Sequence, residues 1–593
     1  MTKLTRFLKP FDALVAATLV LVFIQSMAEL YLPTLMSDIV NTGIMKKDTA
    51  YIWQVGRFML LVAAGGAVAS VFASYFSSRT AAGFGRDLRG KVFTMVEGFS
   101  LHEFDKIGTA TLITRTTNDI TQVQMVLMIM MRLMVMAPMM AIGGIIMAVH
   151  KDASLSWLLV IVLPILLAVI LFMASKGLPL FRQMQTKLDK LNLVLRERLT
   201  GIRVIRAFNR VDHEKARFTE ANGDLTATAI KVNQIMAAMM PIMMLLMNLT
   251  SVAIVWFGGI RIDRGDMQIG NMMAFIQYAM QILFSMLMVS MMFIMVPRAA
   301  ASAVRINEVL EVVPAIKDKA RGAGSETETG TGQAAGGSST EDAAADMRGF
   351  VEFKDVTFNY PGAEQPALSN ISFAAGPGEV TAIIGGTGSG KSTLVSLIPR
   401  FYDVKSGGIL VDGVDIREMK QEDLRAKIGF VPQQAILFTG TVADNIRYGR
   451  ETASDDEVRS AAETAQATDF ISSMPDGFDA YIDQGGVNFS GGQKQRLAMA
   501  RALVRRPEIY VFDDSFSALD FKTDARLRAA LRRRIGDSTV LIVAQRVGTV
   551  MDADRIIVLD DGRVVGMGKH QELMKSCGVY REIVSSQFEE ELA

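Results

Sequence analysis

The stretch Gly385-Gly386-Thr387-Gly388-Ser389-Gly390-Lys391-Ser392-Thr393 follows the apolar run Val380 to Ile384 and leads into Leu394, Val395 and Ile398. It reads as strand, glycine loop and helix, the pattern of a phosphate loop. Glycines let backbone N–H groups curl around a polyphosphate at a helix N-terminus, a lysine neutralises the charge, and a serine hydroxyl reaches Mg2+. A chance glycine turn ahead of a helix is the alternative. Against it, strand and helix both stand where the loop needs them. The expectation is a nucleoside triphosphate site, and the rest of the chain decides what that site serves.

The chain has 593 residues, half of them hydrophobic, with a mean hydropathy of +0.28. That is more apolar than a soluble nucleotide-binding protein needs, so a membrane part is expected. A net charge of +1 gives no global basic field for nucleic acid. The one cysteine, Cys577, leaves no intramolecular disulfide, and the four histidines offer no pair at metal-ligand spacing. Lys3, Arg6 and Lys9 precede a long apolar run, as in a signal peptide. No small-residue cleavage pattern closes that run before Glu29, so it is read as an uncleaved first membrane helix.

Six stretches before residue 300 reach spanning length: 13 to 37, 58 to 78, 121 to 149, 155 to 175, 232 to 260 and 267 to 297. Four carry no charge, and the other two carry only Glu29 and Arg132. Those two side chains are costly in hydrocarbon and should face protein or a water-filled cavity, either paired with each other or touching substrate. Cations crowd the segments 79 to 120 and 176 to 231, which places both, with the N-terminus, on the cytoplasmic side. Leu178, Leu180, Met184, Leu188, Leu191 and Leu195 keep a helical rhythm, so the fourth helix should run on below the membrane. Phe99 to Asp105 and Val204 to His213 mix aromatic, apolar and charged residues; they suit docking on a cytoplasmic partner surface, or simple interfacial helices.

The chain divides into a six-helix membrane domain at 1–316, a flexible Gly/Ala/Ser/Thr/Glu-rich linker at 317–348 and a nucleotide-binding domain at 349–593. Gly349 to Tyr360 alternates like a strand. Strand-like runs at 380 to 384, 508 to 513, 539 to 543 and 555 to 559 interleave with helical segments, which gives an α/β fold with a largely parallel core. Asp561-Gly562 signals a tight hairpin.

Downstream, Phe489-Ser490-Gly491-Gly492-Gln493-Lys494-Gln495-Arg496 precedes Ile509-Tyr510-Val511-Phe512-Asp513-Asp514, and Ser517-Ala518-Leu519-Asp520 follows. The combination resembles the ATP-binding cassette, and with six spans ahead of it the chain resembles an ABC half-transporter of the exporter type. The resemblance implies ATP and Mg2+ as cofactors. It places Tyr360 on the adenine, Gly386, Thr387, Gly388, Ser389, Gly390, Lys391, Ser392 and Thr393 on the phosphates, and Ser392, Gln433 and Asp513 at the metal. It assigns Ser490, Gly491, Gly492 and Gln493 to a clamp on the γ-phosphate held by a second cassette, so one chain makes no complete site.

Two positions depart from the family pattern. Where glutamate usually positions the attacking water there is Asp514, and where histidine usually follows the next strand there is Gln545. Both changes point to slow hydrolysis in this chain's own pocket, with Asp514 working through a shifted water as the alternative. An intact signature beside a weak catalytic end resembles one half of a heterodimer whose partner supplies glutamate and histidine. The family style also suggests the inner membrane of a bacterial cell. Methionines at 125, 128, 130, 131, 134, 136, 139 and 140 and at 239, 240, 243, 244 and 247 suit a broad lipophilic cavity, or plain apolar filler. Lipophilic or drug-like cargo is the leading expectation, with multidrug efflux as its class. Lipid, peptide or siderophore transport and a regulatory ATP-binding subunit are the alternatives.

Overall fold

A computed structural model describes residues 2–318 and 348–592. The chain forms two compact units, Met1–Glu97 with Thr109–Val312 and Gly98–Gly108 with Val313–Ala593. Most of the linker expected at 317–348 lies outside the described residues.

In the first unit six helices are long and apolar enough to span a membrane: Lys3–Ile44, Thr49–Glu97, Thr109–Lys151, Trp157–Thr200, Val211–Asp263 and Ile269–Leu310. Each contains one of the apolar runs read from the sequence. In hydrocarbon only a helix satisfies its own backbone, so these runs have one stable form. The helices outlast the apolar runs because the polar ends keep the helical rhythm, and the fourth continues to Thr200 as expected. Close packing rests on small residues. A Cβ on Gly143 would lie 2.4 Å from Leu30 Cδ1, and one on Gly144 2.7 Å from Ile282 Cγ1. The third helix thereby meets the first and the sixth at close range. Pro138 withholds an N–H there, and the turn Met139–Gly143 widens to π geometry. Tyr278, fully buried, donates to the Leu30 carbonyl at 2.9 Å and lies 2.7 Å from Thr34 Oγ1.

Glu29 and Arg132 are not a pair. The Glu29 carboxylate accepts from Gln25 Nε2 one turn earlier, at 2.8 Å, and among the described residues no ion pair joins it to Arg132. Ion pairs that do join spanning helices were not anticipated, among them Arg115–Glu308, Arg217–Glu197 and the more buried Asp119–Arg305. Asp119 is buried at 3 % exposure and accepts from Arg305 Nε at 2.7 Å, from Arg305 Nη2, and from Ser302 Oγ at 2.8 Å. The methionines divide: Met131, Met140 and Met243 are buried, while Met125, Met134, Met240 and Met244 are exposed.

The second unit is built on three sheets. An antiparallel sheet runs in the order β2 (Leu368–Ala375), β1 (Val351–Phe358), β4 (Ser406–Val411), β5 (Val414–Asp415). The main sheet runs β12 (Arg563–Gly568), β11 (Arg555–Asp560), β3 (Val380–Gly385), β10 (Thr539–Val543), β9 (Ile509–Asp513), β6 (Ile428–Val431). A short ribbon pairs β7 (Gly440–Thr441) with β8 (Tyr481–Ile482). From β11 to β6 the main sheet is parallel. Strands covered on both faces explain the unbroken apolar runs, since every residue of β9 and β10 is buried. The antiparallel sheet packs its Val351, Phe353 and Ile371 against Leu394, Ile398, Val511 and Leu541. Asp561 and Gly562, with φ of 43° and 72°, make the expected two-residue turn between β11 and β12.

The short helix Leu101–Ile107 belongs to this second unit. Ser100 and Glu103 form a reciprocal cap, and Glu103 Oε1 also accepts from the Ala315 N–H at 3.3 Å. In the first unit the helix Ile202–Ala207 has no buried residue, and Val204 and Phe208 are strongly exposed.

Candidate functional site

The loop Gly386–Gly390 leaves the C-terminal end of β3, where a parallel strand gives way to a helix. Gly388 and Gly390 have φ of 86° and 96°, a region that costs other residues strain. A Cβ on Gly386 or Gly388 would meet no atom within 4 Å, so the loop backbone borders open space. Lys391 folds back over the loop, its Nζ donating to the carbonyls of Gly385 at 3.0 Å and Gly386 at 2.7 Å. Burial pulls this ammonium below its ordinary pKa, and the charges of Asp514 and Asp513 pull it back up. A buried cation held by two carbonyls and, at 3.5 Å, by the Ser389 hydroxyl suits an anionic guest.

Opposite the loop, β9 ends at Asp513 and Asp514 follows it, both buried at 6 % exposure. Ser392 Oγ donates to Asp513 Oδ1 at 2.9 Å. Burial pushes the Asp513 carboxyl above the ordinary range, and the neighbouring Asp514 charge adds to this, against the Ser392 hydrogen bond. Two oxygen donors whose ionised form lacks compensation fit a hard divalent cation such as Mg2+. Ser392 and Asp513 would hold that ion, which would supply positive charge beside the phosphates.

Asp514 has φ of 45°, and its N–H donates to the Val543 carbonyl at 3.0 Å. Its Oδ2 accepts two amides, from Gln433 Nε2 at 3.2 Å and from Gln545 Nε2 at 2.9 Å. Burial raises this carboxyl too, with the Gln433 hydrogen bond the largest opposing effect. Thr387, Gly388, Gly390, Lys391, Ser392, Thr393, Gln433, Asp514, Val543 and Gln545 line one cleft of about 240 Å3. Most of the expected loop residues and both departures from the family pattern therefore share one wall-to-wall site. Tyr360 stands at its margin, 40 % exposed, its hydroxyl 2.9 Å from Thr393 Oγ1.

The signature lies elsewhere. Ser490 caps the helix Gly491–Arg505, its Oγ accepting from Gln493 N while Gln493 Oε1 accepts from Ser490 N at 2.9 Å. Ser490 and Gly491 are exposed, and none of Ser490, Gly491, Gly492 and Gln493 lines the cleft. Residues that sequence reasoning passed over complete the site. Gln495 Nε2 holds the Gln433 carbonyl at 2.6 Å, and Ser517 Oγ holds the Asp514 carbonyl at 2.8 Å. The Gln495 partner is 62 residues away, so no local pattern marks that contact, whereas Ser517 reaches back only three residues.

Residues 15–286 match the family model of the ABC transporter transmembrane region, and residues 368–517 match that of the ABC transporter. An uncharacterized ABC transporter ATP-binding protein of Mycobacterium tuberculosis is 45% identical over 587 residues, 98% of this chain and 97% of the relative. A similarly uncharacterized protein of Bacillus subtilis is 38% identical, covering 99% of both. An ATP-dependent lipid A-core flippase of Thiobacillus denitrificans is 31% identical, covering 99% of this chain and 98% of the flippase. Among solved structures, a bacterial Atm1-family ABC exporter with ATP bound superposes with a TM-score of 0.76 at 24% identity, covering 97% of this chain and 98% of the exporter, a likeness of fold. With six spanning helices joined to a cytoplasmic α/β cassette that takes Mg-ATP, the chain belongs to the ABC transporter family, as an integral membrane half-molecule of the exporter type.

Proposed function

We propose that this chain is one half of an asymmetric exporter of lipophilic, drug-like compounds, and that its own ATP site turns over slowly. Residues 1–316 serve as the membrane domain and 349–593 as the cassette, joined by 317–348. The observation that carries the asymmetric reading is the pair of amides on Asp514 Oδ2, from Gln433 and Gln545. Hydrogen bonds to a charged group are worth about 1.5–3 kcal/mol each, and these two stabilise the ionised carboxylate, which makes it a poorer proton acceptor than the same group without them. The carboxylate is also one methylene short of the family's usual glutamate, and a misplacement of about 1 Å costs on the order of 100-fold. On this reading Lys391, Ser392 and Asp513 hold Mg-ATP, Tyr360 stacks on its base, and the exposed Ser490 to Gln493 segment completes the partner's faster site.

A second reading, lipid as cargo, is favoured by the 31% identity to a lipid A-core flippase. An apolar cleft of about 1000 Å3 lined by Ile165, Val169, Phe172, Leu180 and Ile242, with Lys176 at its edge, suits either cargo.

The test is ATP turnover by the purified full chain, alone and mixed with a half-transporter that carries glutamate and histidine at the corresponding positions. The chain alone should be nearly inactive and the pair active. In the pair, Ser490→Ala should lower the rate far more than Asp514→Asn. Vigorous turnover by the chain alone, or equal losses in the two variants, would sink the asymmetric reading.

A further inference from the structure

Beyond Tyr360 the second unit carries an aromatic cluster whose other members, Phe358 and Tyr402, have no part in the site described so far. The Tyr402 ring stands edge-on to Tyr360, centroids 5.6 Å apart at 82°. Phe358 touches both, at 5.0 Å and 5.5 Å. On its far side the Tyr402 hydroxyl donates to Asp105 Oδ2 at 3.4 Å. Asp105 lies on the short helix Leu101–Ile107, which the chain joins directly to the second spanning helix on one side and the third on the other. One tyrosine therefore touches both the residue at the cleft margin and the segment between two spans.

Both ends of this link are firmly mounted. Tyr402 sits in a turn fixed by Arg400, itself buried with φ of 53°. Arg400 Nε donates to Asp403 at 2.8 Å, and Arg425 Nε holds the Pro399 carbonyl at 3.1 Å while its guanidinium lies over Phe401. At the other end, the Ser100–Glu103 cap and the Ala315 N–H fix the short helix. The link between the mounts is the loose part, since 3.4 Å is long for a hydroxyl–carboxylate contact, where about 2.5–3.0 Å is usual. A small rotation of the Tyr402 ring would tighten or break it. Burial, and next the Asp105 charge, push the Tyr402 phenol up to about 12, so it stays a donor at any physiological pH.

We infer that Tyr402 is a positioning residue for transport: its ring reads the occupant of Tyr360, and its hydroxyl sets Asp105 and with it the helix Leu101–Ile107. The inference rests on the reading that Tyr360 stacks on the nucleotide base. Its consequence is that the base, and not the triphosphate alone, reaches the spanning helices through this link.

The test uses the full chain in lipid nanodiscs and follows amide hydrogen exchange in residues 98–108 with a nonhydrolysable ATP analogue or with Mg-tripolyphosphate, which has no base. The analogue should protect the segment and tripolyphosphate should not. Tyr402→Phe should bind the analogue as wild type does yet lose about tenfold of that protection, the worth of a hydrogen bond to a charged group. Asp105→Asn, at an exposed position, should lose protection equally, and the double variant should lose no more. Wild-type protection in Tyr402→Phe, equal protection by tripolyphosphate, or additive losses in the double variant would overturn the inference. Tyr360→Ala tests the reading beneath it: unchanged affinity for the analogue would refute base stacking itself, a result separate from any at Tyr402.

Discussion

If the proposed slow turnover holds, lengthening Asp514 to glutamate and replacing Gln545 by histidine should convert this chain's nucleotide site into a fast one. The extra methylene carries the carboxylate about 1.5 Å further into the cleft. In the wild type, Oδ2 is held by Gln433 at 3.2 Å and by Gln545 at 2.9 Å, on the wall facing Lys391 and Ser392. If about 1 Å of misplacement is worth on the order of 100-fold, Asp514→Glu with Gln545→His should recover a gain of that order. That corresponds to about 2.7 kcal/mol off the barrier. Since the signature is intact, a self-associated chain supplies every other part of the site, and the gain should be visible without any partner.

The assay is phosphate release from Mg-ATP by the purified full chain at saturating nucleotide, so that binding and chemistry stay separate. Gln545→Ala adds a discriminating arm. If the Gln545 amide restrains Asp514, removing it frees Oδ2 and the rate rises. If the amide instead places a productive water, the rate falls. A fall in Gln545→Ala together with no gain in Asp514→Glu/Gln545→His would refute the restraint argument.

Three further outcomes follow from other parts of the molecule. Asp119→Ala should lower stability by about 1–2 kcal/mol, because it removes the hydrogen bonds that Ser302 and the solvent-exposed Arg305 make to a buried carboxylate; a thermal melt in nanodiscs unchanged from wild type would contradict this. Gly385→Ala should cost about 1–3 kcal/mol of cassette stability and weaken nucleotide binding, since its Cβ would fall 2.1 Å from the Leu559 carbonyl oxygen in the adjoining strand. Burial raises the Asp513 carboxyl above the ordinary carboxylate range, so the folded apo protein binds that proton more tightly than the unfolded chain. The sign is then that ionised Asp513 opposes folding above its raised value and ceases to do so as pH falls through it toward 3.8. Asp513→Asn should accordingly raise the apo melting temperature at neutral pH and abolish the further rise that Mg-ATP gives the wild type.

The fold was legible where burial is complete. The runs at 508 to 513 and 539 to 543 read as strands because β9 and β10 are covered on both faces. The spans were equally plain, since long uncharged runs leave the backbone only one way to satisfy itself. The antiparallel sheet was only partly legible. β1 announces itself by alternation, but a register shift between Phe353 and Val356, where Asp355 takes φ of 46°, breaks the period. The Asp119–Arg305 pair was invisible because its members lie 186 residues apart and neither carries a local signal. Glu29 and Arg132 drew attention as the two charges in otherwise apolar runs, yet Glu29 is satisfied within its own helix by Gln25.

At the nucleotide site, residue types were legible and their convergence was not. The sequence marks Gln433, Asp514 and Gln545 separately, at the ends of β6, β9 and β10, and these three strands are neighbours in the sheet. Parallel strands in register bring their C-terminal ends to one edge, so three residues spread over more than a hundred positions meet at a single oxygen. The signature shows the converse. Ser490 to Gln493 is as recognisable as the phosphate loop, but its helix starts at an exposed turn outside the cleft. A carboxylate already carrying two amides and a signature that does not line its own cleft fit the same division: on the proposed reading, this chain holds one nucleotide and helps spend another. The two functions occupy different surfaces, so their losses separate. On that reading Asp514 variants would act on the held nucleotide and Ser490 variants on the partner's, and only the second should stop transport.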